Sequence, residues 1–488
     1  MRHHVLIASS LAALLLVAAC SKDKSIDEPA KLSPLPSPSL QVKQLWSAQV
    51  DDKKAVVLRL GLGISIEGDR VYAAGHKGEV VALDLASGRT LWRAKTGAPL
   101  SGGTAASPDL VLVGATDGQL FAFAPNGDRR WVVRLNGEVL AAPTIAEHLI
   151  AVRTGDGKLH ALSPADGHEL WVQEQVVPRL SLRGTARPVI AGEAVLCGFD
   201  NGKVMAVSAG DGSVLWEAQV TPPHGRTELE RLSDIDAAVG VSGHDVYAVG
   251  FQGRVAMLAL DTGQVWWSHE TSSYRGLTLD QDTIYVATAE GEVVALKTRT
   301  GAEIWRQKAL LHRGLSAIAV MDDSIITADF QGYVHWLDKA TGDIAARVQE
   351  GKVRISNPPL VVGNMVVVVN DRGQINAYRV TPRASAPAQA TKPAAKKPAA
   401  TAAPTSGSTP APASAPTPEP TPAPAAPAPT SGSTPAPASA PTPEPTPAPA
   451  APAPTSGSAP APAPPPGSTP APTPEPTPAP AAPAPPQN

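Results

Sequence analysis

The chain has 488 residues, of which 43% are hydrophobic and 17% charged, and its formal net charge is −3. A near-neutral balance without a basic stripe argues against a nucleic-acid-binding surface. Only Cys20 and Cys197 are present, which excludes a disulfide-stapled scaffold and leaves stability to a hydrophobic core. The eleven histidines are scattered, and no HxxxH, CxxC or GxSxG spacing occurs, so neither a metal centre nor a serine nucleophile is supported.

In chain order, Arg2, His3 and His4 precede an almost wholly apolar run from Val5 to Ala19. Roughly 15 residues suit the apolar region of an export signal, whereas a membrane span needs about 20. The run ends in Leu16-Val17-Ala18-Ala19-Cys20, small residues before a cysteine. This resembles the lipobox of Gram-negative lipoproteins. The resemblance implies that residues 1–19 are removed and that Cys20 carries lipid. Ser21 stands where Asp favours inner-membrane retention in those proteins, which implies the outer membrane, with the protein facing the periplasm. With Cys20 acylated, Cys197 has no intrachain partner. It lies in the run Ala194-Val195-Leu196-Cys197 and reads as a small buried hydrophobe. Residues 20–40, with Pro29, Pro34, Pro36 and Pro38, read as a flexible tether.

Residues 41–380 read as one domain, and within it one pattern recurs eight times from residue 68 to 380. An apolar run meets a turn glycine, a second strand follows, then a second turn glycine and an apolar-Trp strand. The first glycine falls at Gly78, Gly118, Gly157, Gly202, Gly253, Gly291, Gly332 and Gly373. Two residues on stand Val80, Leu120, Leu159, Val204, Val255, Val293, Val334 and Ile375, and four residues on the position is usually Ala. Positions two apart share a strand face, so that face is buried and tight. The second glycine, at Gly88, Gly127, Gly167, Gly212, Gly263, Gly301 and Gly342, marks a strand-to-strand turn. Trp92, Trp131, Trp171, Trp216, Trp267 and Trp305 close six repeats.

Repeats of about 40 residues made of short strands with one tryptophan each predict an all-β fold, an eight-bladed β-propeller. A helical solenoid is excluded, because no 3.6-residue periodicity appears. The eighth repeat stops at Arg379-Val380 without its Trp strand, while Gln44-Leu45-Trp46-Ser47 is an orphan Trp strand before the first repeat. Closure of the eighth blade by that N-terminal strand resolves both anomalies and removes the open sheet edges. The seventh repeat has Ala346 where Trp is expected and Trp336 on the neighbouring strand, so Trp336 is expected to fill the volume. Asp51-Asp52 and Asp322-Asp323 read as solvated turn residues. Residues 381–488 are a different material, nearly all Pro, Ala, Ser, Thr and Gly, with a 25-residue unit starting at Pro404 and again at Pro429. Such a segment cannot build a core and is expected to be disordered and extended.

Two connections depart from the period. The first-glycine spacing rises to 45 between Gly157 and Gly202, and to 51 between Gly202 and Gly253. The extra residues fall in consecutive connectors. One holds Leu180-Ser181-Leu182-Arg183, the other Arg231-Leu232-Ser233-Asp234-Ile235-Asp236. Long loops on a rigid scaffold are where function tends to sit.

Two resemblances bear on function. The Trp strand after an Asp/Thr-Gly turn resembles the repeat of the quinoprotein (PQQ-dependent) dehydrogenases, which implies a periplasmic dehydrogenase as the enzyme alternative. This chain has no vicinal cysteine pair and none of the long insertions that build those sites. The lipobox, the eight repeats and the two loops in that order resemble the propeller lipoproteins of the outer-membrane β-barrel assembly machinery, over residues 1–380. That resemblance implies a non-enzymatic scaffold without cofactor. It would dock on the periplasmic POTRA domains of a BamA-type barrel subunit and assist insertion of outer-membrane proteins. Other assembly lipoproteins and unfolded client chains are further partners it implies. By motif match, Leu180, Leu182 and Arg183, with Asp234 and Asp236, would make the contact. The competing reading is internal, with Arg183 pairing with Asp234 or Asp236 and pinning the two loops. A third class, a cell-wall spacer acting through the Pro/Ala tail, would depend on residues 384–488 and not on the loops.

Overall fold

The computed structural model describes residues 27–51, 62–184 and 186–383. Cys20, Asp52 and the Pro/Ala-rich tail lie outside the described residues. The described residues contain thirty-two strands and no helix, arranged as eight four-stranded antiparallel sheets. Blade 1 comprises Ser65–Glu67, Arg70–Ala74, Glu79–Asp84 and Thr90–Lys95, from the axis outwards. Blades 2 to 7 repeat this order. Blade 8 takes Leu360–Val362, Met365–Val369 and Gln374–Pro382 from the end of the propeller and its outer strand, Leu40–Gln49, from the start. The pairing runs from Leu40 opposite Pro382 to Gln49 opposite Gln374, with one bulge beside Trp46. The expected closure is therefore present.

The two middle strands of each blade are buried on both faces, because each sheet is stacked between two others. Apolar clusters fill the gaps between sheets; Trp46, Val71, Val81, Val367 and Ile375 join blade 8 to blade 1. The repeat tryptophan sits opposite the small residue of the adjacent strand, as Trp92 opposite Ala82 and Trp216 opposite Ala206. Its ring then reaches the next blade. A Cβ on Gly88 would lie 2.5 Å from the Trp46 ring, and Gly88 has φ +70°, so the turn needs glycine twice over. The Trp46 indole N–H donates to Leu85 O at 2.9 Å. The same rivet recurs from Trp92 to Pro125, Trp131 to Pro164, Trp171 to Ala209, Trp216 to Leu260, Trp267 to Thr298 and Trp305 to Lys339.

Blade 7 is the exception, for a topological reason. Its neighbour, blade 8, has no turn between its last two strands, because the outer one comes from the N-terminus. A tryptophan would have no glycine turn to cover, and Ala346 stands there instead. Trp336 lies opposite Ala346, fully buried, edge-on to Tyr378 with ring centroids 6.5 Å apart.

Two expectations need adjusting. Residues 27–39 do not hang free. Ala30 N–H donates to Leu311 O at 2.9 Å, Leu32 packs on the cluster between blades 6 and 7, and Ser39 N–H donates to Ala345 O at 3.0 Å. Two arginines of blade 7 grip this strap, Arg313 through Ala30 O at 3.0 Å and Arg347 through Ser33 O at 3.1 Å. Asp51 is not a solvated turn residue. It is buried and accepts hydrogen bonds from His76 N–H and faces His76 Nδ1, both at 3.0 Å. Burial pushes its carboxyl up, but these bonds outweigh it and hold the pKa below the usual range. Asp322 and Asp323 are exposed in a turn, as read. Cys197 is a buried free thiol pushed up to about 12 by burial, so it is inert at neutral pH.

Candidate protein-docking site on two adjacent connectors

The two enlarged connectors run from Gln175 to Pro188, between blades 3 and 4, and from Val220 to Val239, between blades 4 and 5. Both pass from an outer strand to the next inner strand, so they emerge on the same face and flank blade 4. The longer one is ordered by its own sequence. Thr227 and Glu230 form a capping box: Arg226 N–H and Thr227 N–H donate to Glu230 Oε2 at 2.7 and 3.0 Å, and Glu230 N–H donates to Thr227 Oγ1 at 3.2 Å. This closes one turn whose tip carries Leu229, 64% exposed. The Thr-x-x-Glu spacing was the sequence signal for it.

The connector then dives inward. Leu232, Ser233, Asp234 and Ile235 are buried, and Ile235 packs with Leu196, Val220 and Val239. Asp234 is fully buried, and its Oδ2 accepts the backbone N–H of Leu182. One carboxylate thus ties the first connector to the second. Gly184 lies against Asp236, where a Cβ would come within 3.2 Å of the carboxyl carbon.

The electrostatics beneath the loops are those of crowded acids. Burial pushes Asp234 up to about 6, and the Asp200 carboxylate adds to the rise against the Leu182 amide. Burial, then Asp234 and Asp200, lift Asp236 well above the carboxylate range. Asp200 pairs with buried Arg153 at 3.3 Å, and Arg153 lies 4.5 Å above the Phe199 ring. Burial still wins at Asp200, which is raised.

On the outside, Leu180 is 41% exposed, Leu182 half-buried, and the Arg183 side chain 59% exposed. Arg183 pairs with Glu138 of the connector between blades 2 and 3, at 2.5 Å. It pairs with neither aspartate. The structure therefore changes two expectations. The staple between the loops is Asp234 to the Leu182 amide, with no part for Arg183. Asp234 cannot itself meet a partner, being fully buried, and Asp236 points to the ring axis. Leu180, Leu182 and Arg183 are brought together at the surface; Asp234 and Asp236 lie under and behind them. Sequence reading missed Glu138 and the exposed Leu229 and Val176. It also missed the Arg153–Asp200 pair, for which no local pattern exists. Among the described residues no group of three or more His, Cys, Asp or Glu side chains could hold a metal ion.

An eight-bladed ring of PQQ-like repeats, closed by its N-terminal strand and enlarged at two braced connectors, defines the class of the chain. The chain belongs to the family of the outer membrane protein assembly factor BamB, whose profile matches residues 40–99, 76–307 and 289–383. A relative of that name from Pseudomonas aeruginosa is 37% identical over 375 residues, covering 76% of this chain and 98% of the relative. The crystal structure of BamB from Moraxella catarrhalis superposes with a TM-score of 0.64 at 27% identity, over 70% of this chain and 100% of that one. A quinohemoprotein alcohol dehydrogenase from Comamonas testosteroni shares the fold alone, with a TM-score of 0.57 at 12% identity over 71% of this chain and 77% of that one.

Proposed function

We propose that this protein is a non-enzymatic scaffold subunit of the outer-membrane β-barrel assembly complex. It is tethered to the outer membrane by lipid on Cys20, faces the periplasm and docks on the POTRA domains of a BamA-type barrel subunit. Relatives named as assembly factors support the complex and the membrane. The observation that carries the docking surface is the pair of adjacent connectors tied together from beneath by Asp234. They hold Leu180, Leu182 and Arg183 in a fixed array. Two leucines enter an apolar groove while a guanidinium fixes register through charge-assisted bonds. In this reading Asp234 is a positioning residue, and Glu138 holds Arg183 until the partner takes it.

The test is a pull-down from detergent-solubilised envelopes with a variant in which Leu180, Leu182 and Arg183 are all alanine. Loss of the barrel subunit at unchanged thermal stability is the expected result. Full recovery by a folded variant rules this surface out. Cys20→Ser should release the protein from the outer-membrane fraction; retention there contradicts the anchor. Added PQQ with Ca²⁺ should give no dye reduction with alcohols or sugars, whereas turnover would make the protein an enzyme.

A further inference from the structure

Around the ring axis the innermost strands of blades 1, 2, 6 and 8, with the connector ends that lead into blades 3, 4, 5 and 7, line an open cavity of about 720 Å³. That is the size range of small-molecule sites. Three polar atoms on its wall are buried and have no hydrogen-bond partner among the described residues: Asp236 Oδ1, Arg275 Nε and Asn357 Nδ2. They come from the connectors that lead into blades 5, 6 and 8. Buried polar atoms are rarely left unsatisfied, and each orphan costs on the order of 1–3 kcal/mol, so three around one cavity call for an occupant. Asp236 and Arg275 both line the cavity, yet no ion pair joins them among the described residues. Arg275 is held with its guanidinium carbon 4.9 Å from the Tyr274 ring centre. Arg187 lines the same cavity and is held through Nε by Thr144 Oγ1 at 3.0 Å.

We propose that the axial cavity is a binding site for a small organic carboxylate. Arg275 Nε–H and Asn357 Nδ2–H donate to its oxygens, and Arg187 supplies a second positive charge. The apolar part of the ligand rests on Leu140 and Ile318, which also line the cavity. Burial and the neighbouring Asp234 and Asp200 carboxylates raise the Asp236 carboxyl, which favours its uncharged form and lowers its repulsion of an anion. The apolar wall distinguishes this site from a surface arginine, which would take any anion equally. Arg187 and Asp236 lie on the same two connectors as the docking surface, but Leu180, Leu182 and Arg183 do not line the cavity, so the triple alanine variant tests the surface without altering this wall.

The experiment is calorimetric titration of the purified propeller with benzoate, with benzamide as the neutral isostere. Benzoate should bind saturably at one site and benzamide should not. Arg275→Met should weaken benzoate binding at least tenfold. Asn357→Leu, a change at a half-buried position, provides the same reading if the arginine variant fails to fold. No saturable binding at about 10 mM benzoate, well above a millimolar Kd, overturns the proposal. So does equal binding of benzamide, or benzoate binding unaffected in both variants.

Discussion

Seven of the eight blade junctions and the one between blades 7 and 8 solve the same packing problem differently. At the seven, a tryptophan leaves its own sheet, covers the turn glycine of the next blade and hydrogen-bonds a carbonyl there. At the eighth there is no turn to cover. Trp336 fills the interior from the adjacent strand, and its indole nitrogen has no hydrogen-bond partner among the described residues. The strap of residues 30–39, an apolar cluster of Trp336 with Val366, Val368 and Tyr378, and one polar link from Glu350 do the joining, while a buried polar network stiffens blade 7. Arg313 pairs with buried Asp329 at 2.7 Å, Asp329 faces His335 Nε2 at 3.0 Å, and Arg347 donates to His335 Nδ1 at 3.2 Å. Glu350 accepts from Asn376 of blade 8 at 2.6 Å. The departure from the repeat thus follows the path of the chain. Where topology removes the receiving turn, the rivet disappears with it.

The largest effect should come from removing a rivet. Trp216→Ala takes away a buried ring and orphans Leu260 O, and should cost about 3–5 kcal/mol in a denaturant titration. A cost under about 1 kcal/mol would remove the rivets from the account of stability. Next is the titration of the seam. Glu350 is buried, and burial raises it to about 7, with Tyr378 and Asn376 opposing. A raised carboxyl stabilises the fold fully below its unfolded value near 4.5 and loses that contribution as pH rises through about 7. The wild type should therefore weaken by on the order of 2 kcal/mol between pH 5 and 8 relative to Glu350→Gln. Parallel pH profiles for the two proteins would contradict this.

Smaller differences sharpen the contrast. Trp216→Phe leaves a carbonyl without its donor and should cost roughly 1–3 kcal/mol beyond the change of ring. Trp336→Phe loses no hydrogen bond and should cost less, a ranking read from the two urea midpoints. Deleting residues 27–33 removes the strap's two arginine contacts, each worth about 1 kcal/mol. Faster hydrogen exchange should then be confined to Leu40–Gln49 and Gln374–Pro382. Uniform acceleration through all blades would mean that the strap braces the ring as a whole.

Blade number and closure were legible in the sequence because glycine and tryptophan repeat with the period of the fold, and the orphan Trp46 strand matched the missing one. The exchange of Trp336 for a tryptophan at Ala346 was legible too, since the two positions face each other across adjacent strands. The strap was not, because its contacts run through the carbonyls of Ala30 and Ser33, which leave no side-chain signature. At the docking site the two long connectors and the surface trio stood out by spacing. The fate of the aspartates did not: an acidic residue in a polar loop looks solvated until the fold turns Asp234 inward beneath Leu182. Glu138 was hidden for another reason, lying on a different connector, 45 residues from Arg183.

The strand that closes the ring is the first to be made and the last to find its mate. Leu40–Gln49 leaves the ribosome, and any export channel, hundreds of residues before Gln374–Pro382. Closing a flexible loop of that length costs about 5 kcal/mol in chain entropy beyond that of the shortest loops. The first seven blades, once stacked, bring the two ends of the chain together and remove most of that cost. Ring closure should therefore be a late, slow phase of refolding, reached only after the body has formed. Until then the N-terminal strand waits with its backbone unpaired, an open edge free to pair with another chain.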